Sequence, residues 1–141
     1  MTAVEKRLLE VRDLKKHFRT KHGMLHAVDG VSFHINQGET LGLVGESGCG
    51  KSTIGRLAIR LLEPTSGEIL FDGEDLTKVK KSDLRKMRKD LQMVFQDPYS
   101  SLDPRRSVYE SIAEPLRIQG LYANAEKRVE RVRELMETVG L

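Results

Sequence analysis

Polar and apolar residues alternate in two stretches near the start of the chain, and this pattern predicts β-strands. In residues 27–35 every second side chain from Val31 to Ile35 is apolar, as expected for a strand with one buried face. Residues 8–14 show a weaker form of the same alternation. A short basic segment joins the two stretches, so we predict that they pair as antiparallel strands. Residues 68–71, which end at a turn, can join the same sheet.

Two short runs are mostly apolar, which is typical of strands that are buried on both faces. They are residues 41–44 and residues 91–95. After the first run the spacing of apolar residues changes to three and four, which predicts a helix with one apolar face. The residues on that face are Ile54, Leu57, Ala58, Leu61 and Leu62. A strand, a glycine-rich turn and a helix are therefore expected between residues 41 and 62.

Capping residues and apolar spacing predict three more helices. The first spans residues 82–89, with Ser82 as its N-cap. Ser107 and Glu110 have the spacing of a capping box, so a second helix is expected to begin there. We expect Pro115 to kink or restart that helix. This helix is expected to end at Gly120. A last helix is expected to begin near Asn124 and to end at Gly140.

Residues 45–52 match the pattern G-x-x-x-x-G-K-S/T of a phosphate-binding P-loop. Glycines are dense here, so the backbone can turn tightly and present successive N–H groups to an anion. The following helix adds the positive end of its dipole. Lys51 is expected to reach the β- and γ-phosphates of a nucleotide, and the Ser52 hydroxyl to bind Mg²⁺. The alternative is an ordinary glycine-rich turn with a solvated lysine. The expected nucleotide-binding residues of the loop are Gly45, Glu46, Ser47, Gly48, Cys49, Gly50, Lys51, Ser52 and Thr53.

Composition limits the classes of protein to consider. The chain has 141 residues, of which 38% are hydrophobic and 32% are charged, as in a soluble globular domain. The sequence shows neither a secretory signal nor an apolar run of about 18 residues. A single cysteine suits a reducing compartment. The net charge of +3 permits nucleic-acid binding, but acidic residues are mixed with the basic ones, so we expect a solvated surface and no nucleic-acid partner.

The sequence resembles the ATP-binding subunit of an ABC transporter, of the dipeptide/oligopeptide importer type. Six stretches carry the resemblance, and the most specific reads Val-Phe-Gln-Asp-Pro-Tyr-Ser-Ser-Leu-Asp-Pro-Arg, which looks like the Q-loop of peptide importers. The stretches are residues 14–18, 27–33, 38–53, 64–67, 71–73 and 94–105. The resemblance implies an α/β P-loop NTPase fold of the ABC ATPase type, with ATP and Mg²⁺ as ligands.

The same resemblance implies roles for two residues outside the P-loop. Phe18 stands where the family places an aromatic side chain that stacks on adenine, although a Phe packed at a strand edge is the alternative. Gln96 is expected to lie near Mg²⁺ or the attacking water, whereas the alternative is a polar residue that merely leaves a strand. Lys51 and Gln96 are thus the expected catalytic residues, and Ser52 and Gln96 the expected metal ligands.

The resemblance also predicts the domain organisation. Residues 1–75 are expected to form the antiparallel β-subdomain and P-loop core, residues 76–100 the Q-loop strand and loop, and residues 101–141 the start of a helical subdomain. The family's signature motif, its later acidic strand end and its switch histidine do not occur in the chain, so we expect a partial ATP-binding domain, truncated before the signature motif.

Expected partners are a second ATP-binding subunit, identical or different, and transmembrane permease subunits. The expected location is peripheral, at the cytoplasmic face of the inner membrane. Two other functions stay open at this point, a soluble P-loop phosphotransferase or small GTPase, and an ABC-superfamily ATPase not linked to transport. No guanine-reading motif of the N-K-x-D type occurs, which argues against a GTPase.

The four histidines offer a metal site as a further possibility. His17, His22, His26 and His34 are separated by intervals of five, four and eight residues. These intervals match no common ligand spacing, so we do not expect a metal site from them.

Overall fold

The computed structural model describes residues 6–97 and 101–141. They belong to two compact units, one extending to Met87 and the other from Arg88 to Leu141. The elements of the first unit are β1 (Arg7–Thr20), β2 (Gly23–Asn36), α1 (Lys51–Ala58), β3 (Ser66–Phe71), β4 (Glu74–Asp75) and α2 (Lys81–Met87). The second unit contains α3 (Val108–Ile118) and α4 (Ala125–Thr138).

The strands of the first unit form one sheet with the order β2-β1-β3-β4, in which all neighbours are antiparallel. β1 and β2 form the predicted hairpin, and β3 pairs with β1 as expected. β1 runs through the basic segment to Thr20, where the sequence pattern placed no strand. Residues there adopt the strand conformation because they pair with β2, as His17 does with His26. Their own apolar pattern does not predict a strand.

The core of the first unit lies where α1 and the segment after β4 meet the sheet residues. Five apolar side chains are at most 1% exposed, and burial of each contributes about 1.5–3 kcal/mol. They are Val11, Leu14, Leu57, Ile69 and Leu76. Gly67 shows how close the packing is, because a Cβ atom at this position would lie 2.5 Å from the carbonyl oxygen of Asp13.

The two apolar runs do not form strands, so this prediction is wrong. In residues 41–44 no residue joins a ladder with a described strand, and Val44 is 98% exposed. Residues 91–95 behave in the same way, with Val94 98% exposed and only Leu91 buried. A strand needs a neighbour to satisfy its N–H and C=O groups, and apolar composition alone cannot supply one.

Helix α1 ends earlier than its apolar pattern predicts. It stops at Ala58, and Arg60 takes a left-handed conformation with φ 51°. Leu61 N–H donates to the Arg56 carbonyl at 2.8 Å, which closes the end of the helix in a Schellman motif. The Arg60 guanidinium stabilises this bend because it donates to the carbonyls of Leu76 and Val79.

Most of the other predicted helix boundaries are confirmed. Ser107 and Glu110 make both hydrogen bonds of a capping box at the start of α3, and the Asn124 side chain caps α4. Gly120 follows the end of α3 with φ 68°. Helix α3 continues through Pro115 without restarting. The prediction of Ser82 as the N-cap of α2 is wrong, because the helix begins at Lys81 and Ser82 lies inside it.

No helix in the described part of the chain combines the length and apolar character needed to cross a membrane.

Candidate functional site

Residues 45–50 form a glycine-dependent loop that leads into α1. Gly48 and Gly50 both have left-handed backbone conformations, with φ 81° and 95°. The loop packs against β2 at this point, because a Cβ atom at Gly50 would lie 2.5 Å from the Ala27 carbonyl oxygen. Any other residue at Gly50 would therefore face both an unfavourable backbone conformation and a backbone clash. β2 thus fixes where the loop ends and where the helix begins.

The start of α1 exposes backbone donors with a positive dipole end. Gly50 is the N-cap and supplies no side-chain cap, and the first turn carries no acidic residue. The first intrahelical bond runs from Ile54 N–H to the Gly50 carbonyl at 2.9 Å. The amides of residues 51–53 consequently have no partner within the helix, which makes this end suited to bind an anion.

Lys51 holds its charged group at the loop. Its Nζ atom donates to the carbonyls of Gly45 at 2.8 Å and Glu46 at 2.5 Å, and lies 3.4 Å from Cys49 Sγ. The ammonium group is therefore held against the backbone of residues 45 and 46 and does not extend into bulk solvent. Ser52, the next residue of α1, is exposed, so its hydroxyl is accessible to a ligand at the same helix end.

These observations together fit a phosphate group. Backbone amides at a helix start, left-handed glycines and one lysine ammonium form a positively charged surface made of residues 45–53. Charged phosphate oxygens are the ligands for which such a set of donors is suited. The structure thus brings all of the predicted loop residues together at the start of α1.

Phe18 lies in β1 directly opposite Leu25 of β2 and is half-buried. The Lys16 Nζ atom is 5.0 Å from the centre of the Phe18 ring, at cation–π distance. Lys16 also donates to the Glu63 carbonyl at 2.7 Å, which holds it in this position. A stacking role for Phe18 stays a prediction.

Gln96 belongs to the second unit and is exposed. It does not follow a strand, because residues 91–95 form none. Pro98, Tyr99 and Ser100 of the predicted Q-loop lie outside the described residues. The proposed roles of Gln96 at the metal ion and in catalysis therefore stay predictions.

Two of the four histidines form a cluster with Asp29 in the β1–β2 hairpin, a grouping that the chain intervals did not predict. His17 and His26 pair across the strands, with ring centres 3.9 Å apart, and Asp29 accepts from both rings. The hydrogen bonds from His26 and then His17 hold the pKa of Asp29 below its usual value. Spacing along the chain hides this cluster, because His17 and His26 lie between the two predicted strands and come together only in the observed register of β1 and β2.

Three comparisons with known proteins bear on this chain. Residues 28–141 match the sequence model of the family described as ABC transporter. The oligopeptide transport ATP-binding protein OppF of Bacillus subtilis is 54% identical over 136 residues, which cover 96% of this chain and 45% of that protein. A putative peptide import ATP-binding protein of Brucella ovis is 49% identical over 134 residues, with 95% and 42% covered.

The fold is similar to solved ATP-binding cassettes. A dimeric cassette in a post-hydrolysis state, bound to ADP and Pi, superposes with a TM-score of 0.80 at 26% identity, and the match covers 94% of this chain and 57% of that one. This likeness confirms the predicted ABC ATPase fold class. The chain spans less than half the length of the two relatives from Bacillus and Brucella.

Proposed function

Because this chain belongs to the ABC transporter family, we propose that it is part of an ATP-binding subunit that couples ATP hydrolysis to solute import. The observation that carries the proposal is the P-loop, in which the Lys51 ammonium is held at the loop backbone and the amides of residues 51–53 have no partner within α1. The relative from Bacillus subtilis is named an ATP-binding protein of oligopeptide transport. The proposed solutes are accordingly di- and oligopeptides or similar small molecules.

The loop residues have distinct proposed roles toward ATP. The amides of residues 45–53 and the Lys51 ammonium would hold the phosphates, since both are donors to phosphate oxygens. The exposed Ser52 hydroxyl and the Gln96 amide oxygen are the proposed ligands of Mg²⁺. Bound Mg²⁺ supplies charge neutralisation at the β- and γ-phosphates. Phe18 is proposed to stack its ring on the adenine base. Adenine would either bind the ring face opposite Lys16 or displace Lys16 from the face that it now covers.

The proposed partners are a second ATP-binding subunit, identical or different, and the permease subunits of the importer. The dimeric state of the solved cassette with ADP and Pi supports the first of these. Names of the relatives, which refer to peptide import and oligopeptide transport, support the second. A subunit of this kind would lie at the cytoplasmic face of the inner membrane, held there by the permease.

Peptide uptake in the native host tests the proposal. Lys51→Ala in the host gene should abolish uptake of a radiolabelled tripeptide, because it removes the phosphate-binding charge of the loop. Lys81→Ala, which removes an exposed lysine at the start of α2, serves as the matched control and should leave uptake unchanged. If Lys51→Ala loses ATP binding while tripeptide uptake continues at the original rate, the proposed role in peptide import is wrong.

A further inference from the structure

The β1–β2 hairpin brings three metal-ligating side chains together on one face. His17 and His26 stand opposite one another in the antiparallel register, and Asp29 follows His26 by three residues. One ligand atom from each of the three, two imidazole nitrogens and a carboxylate oxygen, can be chosen so that all lie within 4.8 Å of one another. Phe18, the neighbour of His17, points to the other face because side chains alternate along a strand.

The distances within the cluster fit a tetrahedral metal ion. His17 Nε2 is 3.2 Å from one carboxylate oxygen of Asp29, and His26 Nδ1 is 3.3 Å from the other. Zn–N and Zn–O bonds of about 2.0–2.1 Å in a tetrahedron place neighbouring ligand atoms about 3.3 Å apart. The two nitrogen–oxygen separations are close to this value, but they involve the two different carboxylate oxygens of Asp29, so binding of all three side chains to one ion requires the rings and the carboxylate to rotate.

The backbone holds the three side chains in place. His17 N–H donates to the Thr65 hydroxyl at 2.9 Å, which ties this part of β1 to the segment before β3. Asp29 lies at an irregularity of β2, where Gly30 has φ 74° and the ladder skips from Val28 to Val31. This bulge turns the Asp29 carboxylate back toward the two rings. Ligands that are fixed before binding lose little entropy when the metal binds.

We propose that His17, His26 and Asp29 form a binding site for a divalent transition-metal ion, Zn²⁺ or one of its neighbours Ni²⁺ and Cu²⁺, with solvent in the remaining coordination positions. Two imidazoles and one carboxylate suit these ions, whereas Mg²⁺ and Ca²⁺ prefer oxygen ligands alone. The site is separate from the P-loop in its ligands. It is half-exposed, since the His26 side chain is 52% accessible, so an ion can reach it from solvent.

Zinc titration of the chelator-treated 141-residue chain tests the site. Calorimetry with ZnCl₂ at pH 7.5 should show one ion bound per chain. His26→Gln and Asp29→Asn should each weaken zinc affinity at least tenfold, because each removes one of three protein ligands. His22→Gln and His34→Gln are matched controls, since both residues are exposed histidines outside the cluster, and they should change affinity less than twofold.

A second measurement on the unmodified chain does not depend on how the variants fold. Paramagnetic Cu²⁺ at substoichiometric concentration should broaden the imidazole NMR signals of His17 and His26 before those of His22 and His34. Equal broadening of all four histidines, or unchanged zinc affinity in both cluster variants at unchanged melting temperature, would show that the three side chains form a hydrogen-bonded cluster only and would overturn the proposal.

Discussion

Lys51 is the residue on which affinity for a nucleotide should depend most. Its ammonium group lies 2.5 and 2.8 Å from two carbonyls of the loop, so its charge is held at the start of α1. A charge-assisted contact contributes about 1.5–3 kcal/mol, and 1.4 kcal/mol corresponds to a factor of ten. Lys51→Ala should therefore weaken Mg-ATP binding at least tenfold in calorimetry. Equal affinity of this variant, the Lys81→Ala control and the unmodified chain would remove Lys51 from the site.

Cys49 offers a chemical probe of the same loop. It is exposed, its Sγ atom is 3.4 Å from Lys51 Nζ, and it is the single cysteine of the chain. A phosphate group held by the neighbouring amides would cover the thiol, so Mg-ATP should slow alkylation by iodoacetamide several-fold. Intact-mass spectrometry reads the modification at one site without ambiguity. The same alkylation rate with and without Mg-ATP would mean that the nucleotide does not cover Cys49.

The conformation of the loop at residues 45–52 could be predicted from sequence because the motif is local. Residues 45–52 are contiguous, and the left-handed conformation at Gly50 follows from its place in the pattern. The cluster of His17, His26 and Asp29 could not be predicted from intervals along the chain. It depends on the strand register and on the bulge at Gly30, which are both set by pairing between β1 and β2.

At the scale of elements, the sequence predicts best those strands and helices whose signals lie within their own residues. The hairpin of β1 and β2, strand β3 and the caps of α3 and α4 follow from alternation, turn residues and capping side chains. Residues 41–44 and 91–95 were predicted wrongly as strands, because a buried strand depends on neighbours that lie far away in sequence. The end of α1 was also missed, since it depends on Arg60 reaching the carbonyls of Leu76 and Val79.

Strand β4 carries the carboxylate of Asp75, whose charge should make the stability of the first unit depend on pH. Burial raises the pKa of Asp75, but hydrogen bonds from Lys78 and Thr77 outweigh this, so the pKa lies below its usual value. The unfolded state therefore takes up the proton first as pH falls from neutral. The stabilisation is complete above the unfolded pKa of about 3.9 and is lost as pH falls through the folded pKa.

We expect Asp75→Asn to lower the free energy of unfolding at pH 7 by about 1 kcal/mol, the value of one such hydrogen bond. At pH 3 the difference from the unmodified chain should shrink, because its carboxylate is increasingly protonated there. Urea unfolding at both pH values measures this. Glu74→Gln, an exposed neighbour in β4, is the matched control and should have little effect at either pH. An equal loss of unfolding free energy at pH 7 and pH 3 would mean that the side chain's shape, and not its charge, causes the effect.

At the scale of the whole molecule, the two apolar runs should favour association. Val44 and Val94 are each 98% exposed, and the backbone of residues 41–44 pairs with no described strand. Exposed apolar segments with free N–H and C=O groups bind other chains. The purified 141-residue chain should therefore show a molar mass that rises with concentration in light scattering. Val44→Lys should reduce this association, whereas a monomer at all concentrations for the unmodified chain would contradict the expectation.

The 141-residue chain alone should not hydrolyse ATP at a useful rate. Phosphoryl transfer to water needs charge stabilisation at the γ-phosphate and a group that positions or activates the water. Under the proposed function, Lys51, Ser52 and the loop amides would supply the first requirement. Gln96 is a poor base, since an amide does not accept a proton near neutral pH. We therefore expect weak nucleotide binding and negligible phosphate release in a coupled assay. Turnover is expected only for a protein of the length of the two relatives, of which this chain covers 45% and 42%. Steady, Lys51-dependent phosphate release from the chain alone would overturn this prediction, and it would mean that an acid of this chain, such as Asp97 or Asp103, acts as the base.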